Sequence, residues 1–506
     1  MNALQPHARR RFLKAAAGTG TLLALGDLGF LSRLGPVSAA EARLEANLVR
    51  FSPEIEPLVR FLEETPRERL LEEVGGRIKR GLAYRQLLAA LLLAGVRNIQ
   101  PRPVGFKFHA VLVVNSAHLA SQSSPDSNRW LPIFWALDHF KGSQARDVQE
   151  GDWTMTGVDE SRVPPPHQAK KAFIEAMENW DEAAADTAVA GLVRTAGAQE
   201  IFDLFCRYCA RDFRDLGHKA IYVANAWRTL QAIGWHHAEP VLRSLAYGLL
   251  DRRGDANPTR NDLPADRPGR RNRELLDSIR ADWRGGKPSA DATREMLKAI
   301  RHGSAADTSR KTIELVNRGV APQSIWDALF GGAGELLMRE PGIRSLHAVT
   351  CTNALHFAWQ QTGDDETRRF LLLQNAAFLP LFRGEAKEKA RIDELEPLPL
   401  KGTGPAGIEE IFADISQDRM SAARKVLAYL EANPNPKELV DAARVLIFFK
   451  GRDSHDYKFS SAVLEDYEHV SPAWRGRYLA ASVFNLRGSG GTDNELVKRT
   501  RAALQS

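Results

Sequence analysis

The sequence predicts an all-α protein built from four related multi-helix repeat units, which form either an α-solenoid or a closed α/α toroid. Apolar residues recur at helical spacing throughout the chain, for example at Leu192, Ile201 and Phe205. A ten-residue segment also recurs at intervals of roughly one hundred residues, and such a period is typical of stacked repeats. No run of alternating polar and apolar residues is convincing as a strand.

The recurring segment is clearest in two copies. His109–His118 and His347–His356 are identical at five of ten positions, including the first and last histidine and an asparagine. A third copy, Lys219–Arg228, has cationic residues at both histidine positions, and His218 stands one residue earlier. A degenerate fourth copy begins at His455. Because a single repeat cannot bury its apolar face alone, we expect the four units to pack on one another.

Composition shifts divide the chain further. Segments rich in Pro, Gly or charged residues predict linkers at Gly142 to Pro166, Asp251 to Ala290 and Gly384 to Gly407. The predicted repeat units are therefore residues 43–144, 166–251, 290–385 and 406–506.

Residues 1–42 resemble an export signal rather than part of the fold. Arg9-Arg10-Arg11-Phe12-Leu13-Lys14 matches the twin-arginine pattern, and a weakly apolar run follows it. Cleavage is predicted after Val37-Ser38-Ala39 or Ala40-Glu41-Ala42. The alternative is an ordinary basic tail. The expected partner is the twin-arginine export machinery, and the expected location is the periplasm or the outside of the cell.

The charge of the 506-residue chain does not indicate nucleic acid binding. Three of its six net positive charges lie in residues 1–42, and the arginines of the Asp251–Ala290 segment are interleaved with aspartates. No segment after the signal is long and apolar enough for a stable membrane span. Three cysteines cannot form a disulfide framework for a chain of this length.

Repeated histidines are the candidate functional residues. If all four copies point the same way, one ring contains His109, His347, His455 and either Lys219 or His218. Residues nine apart on a helix lie on opposite faces, so the second ring contains His118, Arg228, His356 and Leu464. The first ring suits a metal, with His109, His218, His347 and His455 as candidate ligands, or a substrate with acidic or phenolic oxygens. Alternatively, the repeated His and Asn side chains form a structural hydrogen-bond ladder between the units.

Three other motifs favour structural roles. Cys206 and Cys209 form a CxxC that fits a helix face, although a disulfide or redox pair stays open. The GxGxxG of Gly402–Gly407 follows a Pro-rich segment rather than a strand, which favours a linker. Gly331–Gly334 is predicted to be a helix break or a loop.

Two segments resemble the questin oxidase-like family. Leu346-His347-Ala348-Val349-Thr350, continued by Asn353-Ala354-Leu355, is similar to a His-Xaa-Val-Thr segment of that family, and His455-Asp456-Tyr457-Lys458 is similar to a His-x-x-Lys near its C-terminus. The resemblance spans roughly residues 54 to 487. It implies a helical repeat fold and oxygen-dependent opening of an anthraquinone ring, with a reduced nicotinamide as donor. The export signal and the Arg-rich segment depart from the family pattern.

The predicted function is an exported oxidoreductase that acts on an aromatic or quinone-like small molecule in a His-lined cavity. His347, His109, His455 and Lys458 are the candidate catalytic groups, since enolate or peroxide intermediates need proton transfer and charge stabilisation. The candidate substrate-binding residues are Asn115, His118, Lys219, Asn225, Arg228, Asn353 and His356. A transition metal fits the ring, and a nicotinamide is implied only by the resemblance. The alternative is a non-enzymatic periplasmic repeat protein that binds a partner or ligand.

Overall fold

The described part of the chain is helical, which confirms the predicted fold class. The computed structural model describes residues 48–250, 257–383 and 390–505, and the predicted signal and cleavage sites lie outside these ranges. Residues 49–506 form one compact unit. Within the described ranges, β-structure is limited to isolated bridges such as Lys287 with Val320. The helix packing is compatible with a solenoid-like arrangement of repeats.

The helices are α1 (Glu56–Glu64), α2 (Arg67–Lys79), α3 (Tyr84–Asn98), α4 (His109–Leu112), α5 (Val114–Ser123), α6 (Leu131–Glu150), α7 (Pro166–Asn179), α8 (Glu182–Thr195), α9 (Ala198–Tyr208), α10 (His218–Ile233), α11 (Ala238–Leu249), α12 (Arg267–Glu274), α13 (Ala290–His302), α14 (Ala305–Asn317), α15 (Pro322–Arg339), α16 (Ile343–Gln361), α17 (Asp365–Phe382), α18 (Gly404–Ile415), α19 (Arg419–Ala432), α20 (Lys437–Lys450), α21 (Ser454–His469), α22 (Pro472–Ser482) and α23 (Glu495–Gln505). Short 3-10 turns connect several of them.

Four inner helices carry the recurring segment: α5, α10, α16 and α21. Each packs side by side with the next in chain order, and α21 packs on α5. Most residues of α10 and α16 are buried on every face, as expected for helices enclosed by others. The first copy of the segment is divided between the single turn α4 and helix α5, which meet at Val113.

An outer helix follows each inner helix and packs against it. These helices are α6, α11, α17 and α22. Helix α6 runs to Glu150, so the predicted linker beginning at Gly142 is wrong for its first nine residues. The helix continues because Asp147 is buried, where it accepts a hydrogen bond from the Gln100 amide and pairs with Lys107 at 2.7 Å.

The glycine run Gly331–Gly334 lies inside α15, so the predicted break is wrong. These glycines allow neighbouring helices to approach closely. A Cβ on Gly332 would lie 3.0 Å from Ile300 Cδ1, and one on Gly334 would lie 3.1 Å from Ala481 Cβ. Tertiary packing here outweighs the low helix propensity of glycine.

Other linker predictions need partial correction. The segment Asp251 to Ala290 contains helix α12, whose Asn272 is buried and donates a hydrogen bond to Gln374 at 2.7 Å. Gly404 and Gly407 belong to the first turns of α18 rather than to a linker. Cys206, Cys209 and Cys351 are buried free thiols, so the CxxC forms no disulfide. None of the described helices has the length and apolar character needed to cross a membrane.

We predict that Gly217→Ala destabilises the protein by about 2 kcal/mol, because two costs combine. Gly217 has a φ of +82°, and an added Cβ would overlap Cys351 Sγ. The matched control is Gly285→Ala, since no atom lies within 4 Å of its added Cβ. Thermal unfolding should show a lower melting temperature for the first variant only. Equal melting temperatures for both variants would contradict this packing.

Candidate functional site

The structure brings together four histidines, which we call the histidine centre: His109, His218, His347 and His455. Each lies in the first turns of an inner helix or of the short α4 that precedes one. Ring centroids of His109 and His218 are 4.9 Å apart, those of His218 and His347 are 4.4 Å apart, and those of His109 and His455 are 4.7 Å apart. His109, His218 and His347 are buried.

Backbone carbonyls fix the orientation of three of these rings. Nδ1 of His109 lies 2.8 Å from the Phe106 oxygen, and Nδ1 of His218 lies 2.6 Å from the Asp215 oxygen. Nδ1 of His347 lies 2.6 Å from the Ile343 oxygen. In all three cases the oxygen belongs to a residue three or four positions earlier in the chain. A carbonyl oxygen can only accept, so each Nδ1 carries the proton. In a neutral imidazole, Nε2 is then left with a free lone pair.

The free Nε2 atoms face one another. Nε2 of His218 lies 3.0 Å from Nε2 of His109 and 2.9 Å from Nε2 of His347. Ligand nitrogens of His109, His347 and His455 all lie within 4.8 Å of one another. Two lone pairs this close repel unless a proton or a metal cation lies between them. Imidazole nitrogens of His109, His347 and His455 lie close enough together to be able to hold a metal ion.

His455 differs from the other three histidines. Its Nδ1 lies 3.3 Å from a carboxylate oxygen of Asp453, and its side chain is 23% exposed. Asp453 also caps α21 through the backbone amide of His455 at 2.7 Å. A carboxylate behind a ligating imidazole fixes its orientation and raises its basicity.

Lys458 lies beside the histidine centre, one helical turn after His455. Its Nζ is buried and has no hydrogen-bond partner among the described residues. Burial lowers the pKa of Lys458 to about 7. Burial, followed by the charge of Lys458, holds the pKa values of His109, His218 and His347 well below their usual range. These imidazoles are therefore neutral at pH 7, which is the form that binds metal.

Three predicted site residues lie elsewhere. Lys219 pairs with the buried carboxylate of Asp212 at 2.8 Å, so His218 and not Lys219 completes the ring. His118 Nδ1 lies 3.0 Å from the Tyr84 hydroxyl, and His356 packs against Trp326. The second ring does not converge, because His118 and His356 contact residues of α3 and α15, whereas Arg228 lies between the inner helices.

A cavity of about 20 Å³, room for about one water molecule, lies between the inner helices, next to Lys458. We call it the central cavity. Four of the residues that line it stand six positions after the first residue of each repeat copy: Asn115, Asn225, Asn353 and Ser461. Arg228 also lines it, so four of the seven predicted substrate-binding residues are found there, namely Asn115, Asn225, Arg228 and Asn353.

The cavity holds an ion pair that sequence reasoning missed. Arg228 Nη2 contacts Glu465 at 2.6 Å, and Arg228 Nη1 lies 3.3 Å from the side-chain oxygens of Asn225 and Asn353. Asp453 was also missed. The spacing of Asp453 and Asp456 could have indicated it, because these two residues form a capping box at the start of α21. No local pattern identifies Glu465, since its role depends on packing between α10 and α21.

The described residues do not form a nucleotide-binding turn. The GxGxxG glycines enter α18 from an irregular segment, and the described ranges contain no strand from which a dinucleotide-binding turn could emerge. We therefore assign no nicotinamide site.

Comparison with known proteins adds no assignment. A scan against protein-family models, a search of curated proteins and a search of solved structures each found no match to this chain. The site is interpreted from its own geometry.

We predict that Lys458 gives the metal-free protein a distinctive pH dependence. Because the folded pKa of about 7 lies below the ordinary value of about 10.4, the unfolded chain binds a proton that the folded chain lacks between these values. The free energy of unfolding therefore rises with pH between about 7 and about 10.4, and it falls as the pH is lowered toward 7.

Lys458→Met removes this titration. In the presence of chelator, the unfolding free energy of the parent protein minus that of the variant should increase by about 2 kcal/mol between pH 7 and pH 9. Thermal or denaturant unfolding at three pH values measures the difference. A difference that does not change with pH would show that Lys458 titrates normally.

Proposed function

We propose that this protein is a metal-dependent oxidoreductase whose metal is held by the histidine centre and whose substrate is a small molecule. The observation that carries the proposal is the convergence of neutral imidazole Nε2 atoms at 2.9 and 3.0 Å in a buried site. If these histidines only formed structural hydrogen bonds between repeat units, each acceptor nitrogen would face a donor. Here the Nδ1 protons of three rings are already directed at carbonyl oxygens.

The separations favour ligand angles near 90°, as in octahedral or square-planar coordination, over tetrahedral angles. Two nitrogens bound at 2.0–2.1 Å lie about 2.9 Å apart at a 90° angle and about 3.4 Å apart at the tetrahedral angle. The observed distances match the first case. Iron, copper and nickel accept imidazole donors at such angles, and four histidines would leave coordination positions for an external ligand. A metal of this kind supplies electron transfer and polarisation of the bound ligand.

The surrounding residues would orient the metal ligands and exclude water. Carbonyl oxygens fix three rings and Asp453 fixes the fourth. Burial keeps the imidazoles of His109, His218 and His347 unprotonated by lowering their pKa values. Lys458 is the group placed to hold or donate a proton beside the metal, because its neutral and charged forms are both accessible near pH 7. Arg228 and Glu465 neutralise each other within the cavity.

The resemblance to questin oxidase-like proteins supports oxidation as the reaction type. Its quoted segments contain His347, His455 and Lys458, which are the residues that converge here. Export in the folded state is part of the proposal, supported by the twin-arginine pattern of residues 9–14. A buried centre contributed by four distant segments is complete only in the folded chain, which suits metal loading before export.

The alternative proposal, a non-enzymatic scaffold or binding protein, explains the repeat architecture but not the facing lone pairs. It predicts a histidine centre that holds no metal, with a shared proton between rings instead. Metal analysis separates the two proposals.

We predict one transition metal ion per chain after native expression. The double variant His109→Ala/His347→Ala should lose it, because two of four donors are removed. His118→Ala is the matched control: His118 closes the same repeat copy but contacts Tyr84 instead of the centre. Plasma mass spectrometry of purified protein gives the stoichiometry. Metal-free parent protein, or metal retained by the double variant, would contradict the proposal.

We predict that Asp453→Asn weakens metal binding by about tenfold, because the amide no longer supports His455 as a carboxylate does. The amide oxygen can still cap α21, so the melting temperature of the metal-free variant should change little. Competition with a coloured chelator measures the affinity. Unchanged affinity would mean that Asp453 acts only as a helix cap.

A further inference from the structure

The histidine centre is closed to solvent on most of its sides. His109 and His218 are 6% exposed and His347 is 1% exposed, whereas the side chain of His455 is 23% exposed. An external ligand of the metal must therefore approach past His455.

The space next to the centre is small. The central cavity has room for about one water molecule, and no histidine of the centre is among its lining residues. Larger clefts of the described surface, such as those at Trp135 and at Trp153, are also lined by other residues. Pockets for organic ligands have volumes of about 300 Å³ or more. The described geometry therefore favours a ligand of only a few atoms.

Lys458 indicates the charge of this ligand. It is 3% exposed, and its Nζ has no hydrogen-bond partner among the described residues. An ammonium group carries three donor hydrogens, so one water molecule in the central cavity would leave the others unsatisfied. Because a buried charge is normally paired, Lys458 favours an anion beside the histidine centre.

The other nearby charges do not reverse this preference. The buried imidazoles of the centre are neutral donors, so a bound divalent cation keeps its charge. Arg228 is paired with Glu465. Asp453 lies beside His455, and the exposed Arg452 that precedes it in the chain carries the opposite charge. A metal and Lys458 together therefore leave a positive excess.

We infer that the substrate of the histidine centre is superoxide, which enters past His455 and lies between the metal and Lys458. Superoxide is a two-atom anion, whereas dioxygen and hydrogen peroxide are uncharged at neutral pH. The inference rests on the proposed function, because the metal carries the electron. It replaces the aromatic substrate implied by the family resemblance with a different chemical class.

Dismutation of superoxide needs no other reactant than protons. One superoxide ion gives an electron to the oxidised metal and leaves as dioxygen. A second takes that electron from the reduced metal, gains two protons and leaves as hydrogen peroxide. Lys458 Nζ is placed to donate one of these protons, and solvent supplies the other and reprotonates Lys458. Two superoxide ions and two protons thus give one dioxygen and one hydrogen peroxide.

Azide and benzoate test the size limit, because both are monoanions and azide is much the smaller. Calorimetric titration uses the metal-containing full chain at constant ionic strength. We expect azide to bind at least about tenfold more tightly than benzoate, which the closed centre excludes.

Two variants test the charge. In Lys458→Met, azide should bind about tenfold more weakly, as loss of a hydrogen bond to a charged group predicts. Lys171→Met is the matched control, because it removes the same charge from an exposed position on α7. Its affinity for azide should equal that of the parent protein.

Superoxide itself is generated by pulse radiolysis, and the decay of its absorbance is followed with and without the protein. We expect each metal ion to consume many superoxide ions, with one hydrogen peroxide formed per two consumed. The rate should fall as ionic strength rises, because a positive centre attracts the anion. Protein stripped of metal by a chelator should not accelerate the decay.

The outcomes separate this inference from the proposed function. Metal content is measured on every sample. If the parent protein holds metal but binds benzoate as tightly as azide, or leaves the decay of superoxide unchanged, the inference is overturned and the metal centre stands. Neither comparison needs a variant to fold. Absence of metal from the parent protein would overturn both.

Discussion

The histidine centre constrains the rest of the structure, because its four imidazoles come from four distant segments and must meet at one point. Carbonyl oxygens hold the Nδ1 protons of three rings, so their Nε2 lone pairs are forced to face one another at about hydrogen-bond distance. A cation bound between them would relieve this repulsion. The cation would therefore link all four repeat copies, and its binding energy would stabilise the packing of the inner helices.

The same helices build the cavity next to the centre. A residue six positions along each copy, roughly one and a half turns further, is an amide or hydroxyl side chain that lines the cavity. In all four copies that side chain donates a hydrogen bond to a residue of a neighbouring repeat unit, as Asn115 does to Asn225 and Asn225 does to the Leu112 carbonyl. One repeated position therefore lines the cavity and joins neighbouring units.

The fold class and the first histidine ring could be predicted from sequence because both depend on periodicity. The choice between His218 and Lys219 could not, since it depends on the turn before α10, where Gly217 with a positive φ sets the helix start one residue earlier. The partners of His118 and His356 lie on α3 and α15, which the recurring segment does not specify. Gly331–Gly334 was wrongly predicted as a break because close packing, rather than propensity, decides its conformation.

X-ray absorption spectroscopy of the natively expressed protein would test whether the four histidines hold a metal, because it reports the atoms bound to the metal rather than its presence alone. We expect a first shell that contains about four nitrogen donors at roughly 2.0–2.2 Å, with the outer-shell scattering characteristic of imidazole rings. A first shell dominated by sulfur, or one of oxygen donors without imidazole scattering, would contradict the assignment of the histidine centre.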